Sequence, residues 1–127
     1  MSMQVLLKVF FFIWISILQL QADPTEDLFD SVRKRNIIGI SRAVEEGADI
    51  NAGNEWNTTP LMLAVHFGAL NIVKALLENK ADPNVINYRN ETALRIACQK
   101  NAIDIINTLI DHGADVNEED VNGANLL

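Results

Sequence analysis

Side chains able to act as nucleophiles, acid–base groups or metal ligands in this chain are few: His66, His112, the lone Cys98 and the acidic run Glu118-Glu119-Asp120 stand out. Nucleophilic catalysis needs a Ser, Thr or Cys beside a base that a third group orients. The two histidines lie 46 positions apart, and no Ser, His and carboxylate spacing approaches such an arrangement. A metal would need three or four converging His, Cys or carboxylate ligands, which the sequence does not supply. The Glu118-Glu119-Asp120 run reads as a solvated turn that attracts a cation weakly. His112 precedes Gly113 at an expected helix end, where an imidazole suits the terminal carbonyls. The expectation is a chain without catalysis, cofactor or metal.

Charge narrows the partners. From Asp23 onward nine basic residues face seventeen acidic ones, a net charge of −8. A phosphate-binding surface must supply clustered Lys and Arg to displace counterions, and the only such cluster is Arg33-Lys34-Arg35. Three residues read first as a solvated helix face, so nucleic acid is not an expected partner. One cysteine allows no intrachain disulfide, and packing alone must stabilise the fold.

The elements that position these residues begin after an unusual start. Met1 to Ala22 holds one basic residue, Lys8, then the uncharged run Val9 to Leu18, then a polar stretch ending at Ala22 before Asp23-Pro24. This is the grammar of an export signal, and cleavage is expected after Ala22. Ten apolar residues rise only about 15 Å as a helix, roughly half a bilayer's hydrocarbon thickness, so a spanning segment is the weaker reading. Leu20 three residues before the cut and the single Lys8 keep a membrane-anchored, uncleaved signal as the alternative.

Beyond Asp23 the chain repeats itself. Gly47-Ala48-Asp49, Lys80-Ala81-Asp82 and Gly113-Ala114-Asp115 are each 33 residues apart, and Asn51, Asn84 and Asn117 keep the same step. Thr59-Pro60-Leu61 recurs as Thr92-Ala93-Leu94, and Leu76-Leu77 as Leu109-Ile110. Thr59 suits an N-cap and Pro60 the first helical position, where a missing N–H costs nothing. Leu61, Ala64 and Val65 follow at helical spacing, and Gly68 supplies a left-handed stop that Asn101 replaces one unit later. A second helix is expected from Asn71 to Asn79, ending at Lys80 where the other copies carry Gly. A side chain at positive φ there costs about 1 kcal/mol. Asn51 to Asn57, Asn84 to Asn90 and Asn117 to Gly123 read as tight turns. Cys98 aligns with Val65 and reads as an inert core thiol.

The motif Thr59-Pro60-Leu61-Met62-Leu63-Ala64, the Gly68 stop, Ile72-Val73, Leu76-Leu77 and the ending Ala81-Asp82-Pro83-Asn84 resemble the ankyrin repeat, a turn followed by two antiparallel helices. The resemblance covers roughly Thr25 to Leu127 and implies an all-α solenoid of about three stacked helix-turn-helix units. The units run about 23–54 as an N-terminal cap, 55–87, 88–120 and a partial 121–127, after a signal at 1–22. Two departures stand out. The family's His after Thr-Pro-Leu is Met62 and Arg95 here, so its turn-bracing hydrogen bond is expected to be lost. The glycine two residues before Thr-Pro is Asn57 and Asn90. With no complete last unit, Ile105, Ile106, Leu109 and Ile110 are expected to be partly bare.

Stacked repeats hold turn tips and first helices along one concave face. By resemblance, recognition falls on the tips and on the two residues before the stop of each first helix. The tip residues are Glu55 and Trp56, Tyr88 and Arg89, then Val121 and Asn122. The helix residues are Arg33 and Lys34, His66 and Phe67, then Gln99 and Lys100. Exposed Trp, Tyr, Phe and Arg are the residues of binding hot spots, although Trp56 and Tyr88 could instead cover their turn and Phe67 fill a gap between units. Asn57-Thr58-Thr59 and Asn90-Glu91-Thr92 match the glycosylation pattern and, unless the source is eukaryotic, read as chance matches, since each final Thr is already a cap. The expected function is an exported interaction module, periplasmic or secreted, holding a protein partner. The acidic surface suggests a basic partner. An inhibitor or immunity role against a secreted enzyme competes with a secreted effector role. The alternative is a structural protein that self-associates through its uncapped last repeat.

Overall fold

Each helix of the repeat begins and ends where local chemistry allows it. The computed structural model describes residues 2–20 and 23–117; the signal cleavage point, Glu118-Glu119-Asp120, the Val121-Asn122 tip and the partial last unit lie outside them. Helix α1 spans Met3–Leu20, α2 Pro24–Arg33, α3 Ile37–Glu45, α4 Pro60–His66, α5 Leu70–Glu78, α6 Ala93–Gln99 and α7 Ile103–Asp111. Among the described residues there is no strand. The Thr59 hydroxyl accepts the Met62 N–H at 3.2 Å, and the Thr92 hydroxyl accepts that of Arg95 at 3.2 Å. In the first unit Asp23-Pro24 takes over the role of Thr-Pro: the Asp23 carboxylate accepts the Thr25 N–H and Pro24 opens α2. That earlier start gives α2 ten residues, against seven in α4 and α6.

Six left-handed residues stop six helices. Gly68, Asn101 and Arg35 end the first helices at φ 64°, 55° and 56°, and Gly47, Lys80 and Gly113 end the second helices at 101°, 71° and 92°. After each stop, the next N–H reaches back five residues, as from Ala69 to the Ala64 carbonyl and from Ala81 to that of Leu76. This closes the orphan carbonyls of the last turn. Arg35 is thus one of three non-glycine stops, with Asn101 and Lys80.

First helices α2, α4 and α6 pack in sequence, as do second helices α3, α5 and α7, giving two layers. Leu28, Val32, Leu61, Val65 and Leu94 from one layer meet Ile40, Ile72, Val73, Leu76 and Leu109 from the other in one core. Each of these side chains contributes about 1.5–3 kcal/mol by leaving water. A polar ladder runs alongside. Asn51 Oδ1 accepts the Asp82 N–H at 2.8 Å, and one unit later Asn84 Oδ1 accepts that of Asp115 at 2.8 Å while its Nδ2 donates to the Gly113 carbonyl.

Three expectations need correction. Of the four residues expected to be partly bare, Ile106 is half-buried and Ile110 exposed, but Ile105 and Leu109 are buried; α7 turns these two into the core that α5 and α6 share with it. Cys98 is half-buried and packs against the edge of the core, whereas Val65 at the equivalent place of α4 is fully buried in a helix that α6 covers. The brace expected to be lost is present in the third unit: the buried Arg95 donates from Nη1 to the Asn90 carbonyl at 3.0 Å.

At the other end, α1 carries Phe10, Phe11, Phe12, Ile13 and Trp14 exposed. No helix among the described residues is long and apolar enough to cross a membrane.

Candidate protein-binding surface

The turn tips owe their shape to one asparagine each. Asn54 Oδ1 accepts the N–H groups of Trp56 and Thr58 at 2.9 and 3.0 Å, and Asn87 Oδ1 accepts those of Arg89 and Glu91, both at 2.9 Å. The chain then turns back through Asn57 and Asn90 at φ 57° and 61°, an angle asparagine tolerates better than most side chains. Asn54 and Asn87 keep the 33-residue step, so the sequence carried this signal; sequence reasoning assigned only the turn and overlooked its organiser.

Neighbouring tips are tied together. The Tyr88 N–H donates to the Trp56 carbonyl at 3.0 Å, and Asn57 Nδ2 donates to the Ile86 carbonyl at 2.9 Å. Trp56 and Tyr88 remain 57% and 76% exposed. Glu55 and Arg89 flank them, also exposed. Asn57 donates its amide to the Ile86 carbonyl, and Thr59 and Thr92 spend their hydroxyls on caps.

The helix-end residues form a second row. Arg33, Lys34, His66, Phe67, Gln99 and Lys100 are all exposed. Arg33 lies over the Phe29 ring at 5.9 Å, Lys34 pairs with Asp30 at 2.6 Å, and Arg35 Nη2 reaches the Phe67 carbonyl at 3.3 Å, linking the first unit to the second. The hydrogen bond to Asp30, helped by its charge, holds the Lys34 ammonium above its ordinary range. Tips and helix ends form two rows, at opposite ends of the seven-residue α4 and α6, about 10 Å apart at 1.5 Å per residue.

Elsewhere the surface offers little. A polar hollow of about 250 Å³ between α2 and α3, lined by Asp27, Asp30, Asn36 and Arg42, is smaller than the roughly 300–1,000 Å³ of small-ligand pockets. His112 Nδ1 lies 2.8 Å from the Thr108 carbonyl at the end of α7. Among the described residues no three His, Cys, Asp or Glu side chains converge as metal ligands.

A two-layer helical solenoid whose irregular, exposed residues gather at tips and helix ends is a repeat scaffold for binding at its surface. The family model for ankyrin repeats (3 copies) matches residues 28–120, and the chain belongs to the ankyrin repeat family. Ankyrin repeats mediate protein–protein interaction and are typically non-enzymatic. No curated protein matches the chain closely enough to count as a relative.

Proposed function

We propose that the chain is an exported interaction module, residues 23–127 acting after removal of residues 1–22, which holds a protein partner across its tips and first helices. The observation that carries this reading is the Tyr88–Trp56 link, because it ties together the backbones that carry two large exposed aromatic side chains. Rigid, amphipathic rings give contact area at low cost in conformational entropy. Arg33, Lys34, Glu55, His66, Phe67, Arg89, Gln99 and Lys100 complete the contact surface. Export is supported by the exposed apolar side chains of α1 and its single Lys8. Self-assembly through the last repeat has less behind it, since Ile105 and Leu109 are buried.

The test is affinity capture from the native source followed by mass spectrometry, with Trp56→Ala and Tyr88→Ala as controls. Both variants should keep the circular dichroism of the parent and lose the captured partner. Undiminished capture by the double variant would remove the tips from the site.

A further inference from the structure

Charge on this domain is segregated by helix end. The three turns after the first helices, Arg33-Lys34-Arg35, His66-Phe67-Gly68 and Gln99-Lys100-Asn101, hold four cations and no carboxylate, all exposed. The ends of the second helices, Glu45-Glu46-Gly47, Glu78-Asn79-Lys80 and Asp111-His112-Gly113, continue to Asp49, Asp82 and Asp115 and hold seven carboxylates against one lysine. Both sets lie at helix C-termini, where the backbone dipole favours cations. The dipole alone would therefore place cations on both ridges. It accounts for neither the carboxylates on one nor the contrast between them.

The first two turns of this ridge are joined directly, while the hollow that leads from Gly68 toward the third unit is lined by Asp104. Arg35 bonds to the Phe67 carbonyl across the first two units, and Phe67, 43% exposed, sits between the cations of the first unit and Lys100 of the third. Asp30 offsets part of the charge of Lys34, but an exposed pair of this kind is weak and leaves its members open to a better partner. The net charge of −8 suggested a basic partner; the ridge at the far end of the first helices from the aromatic tips carries cations instead.

Resting on the reading of this face as a protein-binding surface, we infer that the ridge takes an acidic, extended segment of the partner, with carboxylates at both ends and an apolar side chain between them. Packed helices lie roughly 8–10 Å apart, so the first and third units are about 20 Å apart. An extended chain crosses that distance in about six residues. The end carboxylates meet Arg33 and Lys34 on one side and Lys100 on the other, and the central side chain covers Phe67.

The full chain is titrated into three fluorescein-labelled probes, a random Glu/Tyr copolymer, a random Lys/Tyr copolymer and an oligothymidylate, with anisotropy as the readout. The Glu/Tyr copolymer should bind at least about tenfold more tightly than the other two, and lose about tenfold in affinity when salt rises from about 20 to about 300 mM. Lys34→Glu with Lys100→Glu should weaken it by about tenfold or more, Lys34→Gln with Lys100→Gln by less, and Lys74→Glu on α5 should leave it unchanged. Equal or tighter binding of the Lys/Tyr copolymer overturns the inference, as does equal binding of the oligothymidylate, which would make the ridge a polyanion site. Glu/Tyr binding that ignores the Lys34 and Lys100 changes but falls with Trp56→Ala also overturns it, while leaving the aromatic tips as a protein site. If no probe binds, or if mass rises with concentration in a Lys100-dependent way, the acidic segment is wrong and a second copy takes its place in the latter case.

Discussion

The Tyr88 N–H donates to the Trp56 carbonyl at 3.0 Å, and the two rings that follow from those backbones are the most prominent aromatic side chains of the repeat domain. A second bond, from Asn57 Nδ2 to the Ile86 carbonyl, closes the same pair of tips. Two bonds between adjacent turns convert independent loops into one platform, which is what a binding surface needs if its side chains are to be fixed before the partner arrives.

Asn57 does two jobs in that platform, and substitution separates them. Asn57→Gly removes the bond to Ile86 but keeps the left-handed backbone at ease, and should cost about 0.5–1.5 kcal/mol. Asn57→Ala removes the bond and strains the backbone as well, adding about 1 kcal/mol. Urea denaturation of both variants checks the order. If alanine were no worse than glycine, the strain at φ 57° would not be a real cost.

Lys80 and Arg35 both sit left-handed where glycine is at ease. Lys80→Gly should stabilise the domain by about 1 kcal/mol, a rise in melting temperature of about 4–8 °C for a domain of this size. Arg35→Gly relieves the same strain but loses the bond to the Phe67 carbonyl, so its gain should be smaller. Thermal unfolding followed by circular dichroism decides; an Arg35→Gly gain equal to that of Lys80→Gly would mean the inter-unit bond contributes nothing.

The caps, the stops and the paired leucines were legible in the sequence because each is decided within a few residues: Thr59 before Pro60, Gly68 after a helical run, Lys80 in a place that Gly fills elsewhere. The second helix was placed within one residue of its observed span, Leu70–Glu78. What escaped depends on where side chains point once the units stack. Asn54 and Asn87 look like any turn asparagine until their oxygens are seen to gather two N–H groups each. The candidate site residues were legible as exposed positions, but their split into an aromatic row and a cationic row was not. A net charge averages over both helix ends and hides the sign of each.

Arg95 shows how one substitution can restore what it seemed to remove. Its guanidinium braces the Asn90 carbonyl from a buried position. Arg95→Met, which copies the residue of the preceding unit, should leave that carbonyl without its side-chain donor and cost about 1–2 kcal/mol. Met62→Arg should not give a matching gain, because Met62 is fully buried and well packed. Chemical denaturation of the two single variants reads both effects, and a neutral Arg95→Met would show that the brace carries no stability.

The asparagine ladder couples units in series. Asn84 receives the Asp115 N–H and donates to Gly113, whereas Asn51 receives only that of Asp82. Asn84→Ala should therefore cost about 1–3 kcal/mol and Asn51→Ala about 0.5–1.5 kcal/mol. In a solenoid each interface is a nearest-neighbour quantity, so the loss should appear locally: amide hydrogen exchange at Asp115 should accelerate in Asn84→Ala and that at Asp82 should not. Faster exchange throughout the domain would mean that it unfolds as one unit rather than repeat by repeat.

The export reading meets the fold at Asp23. Cleavage after Ala22 would place a new α-amino group on the residue whose carboxylate caps α2 by accepting the Thr25 N–H at 2.9 Å. A positive group at a helix N-terminus is unfavourable by about 0.3–1 kcal/mol, but the Asp23 carboxylate carries the compensating charge on the same residue. The processed chain should therefore keep α2 intact. Intact-mass measurement of the exported protein should give a product that begins at Asp23, and its helical circular dichroism should match that of a chain extended by one alanine. A product that retains α1 in the membrane fraction would replace processing with anchoring. Asp23→Ala should weaken α2 more in the processed chain than in the extended one, because only there does the carboxylate answer a charge as well as an orphan N–H.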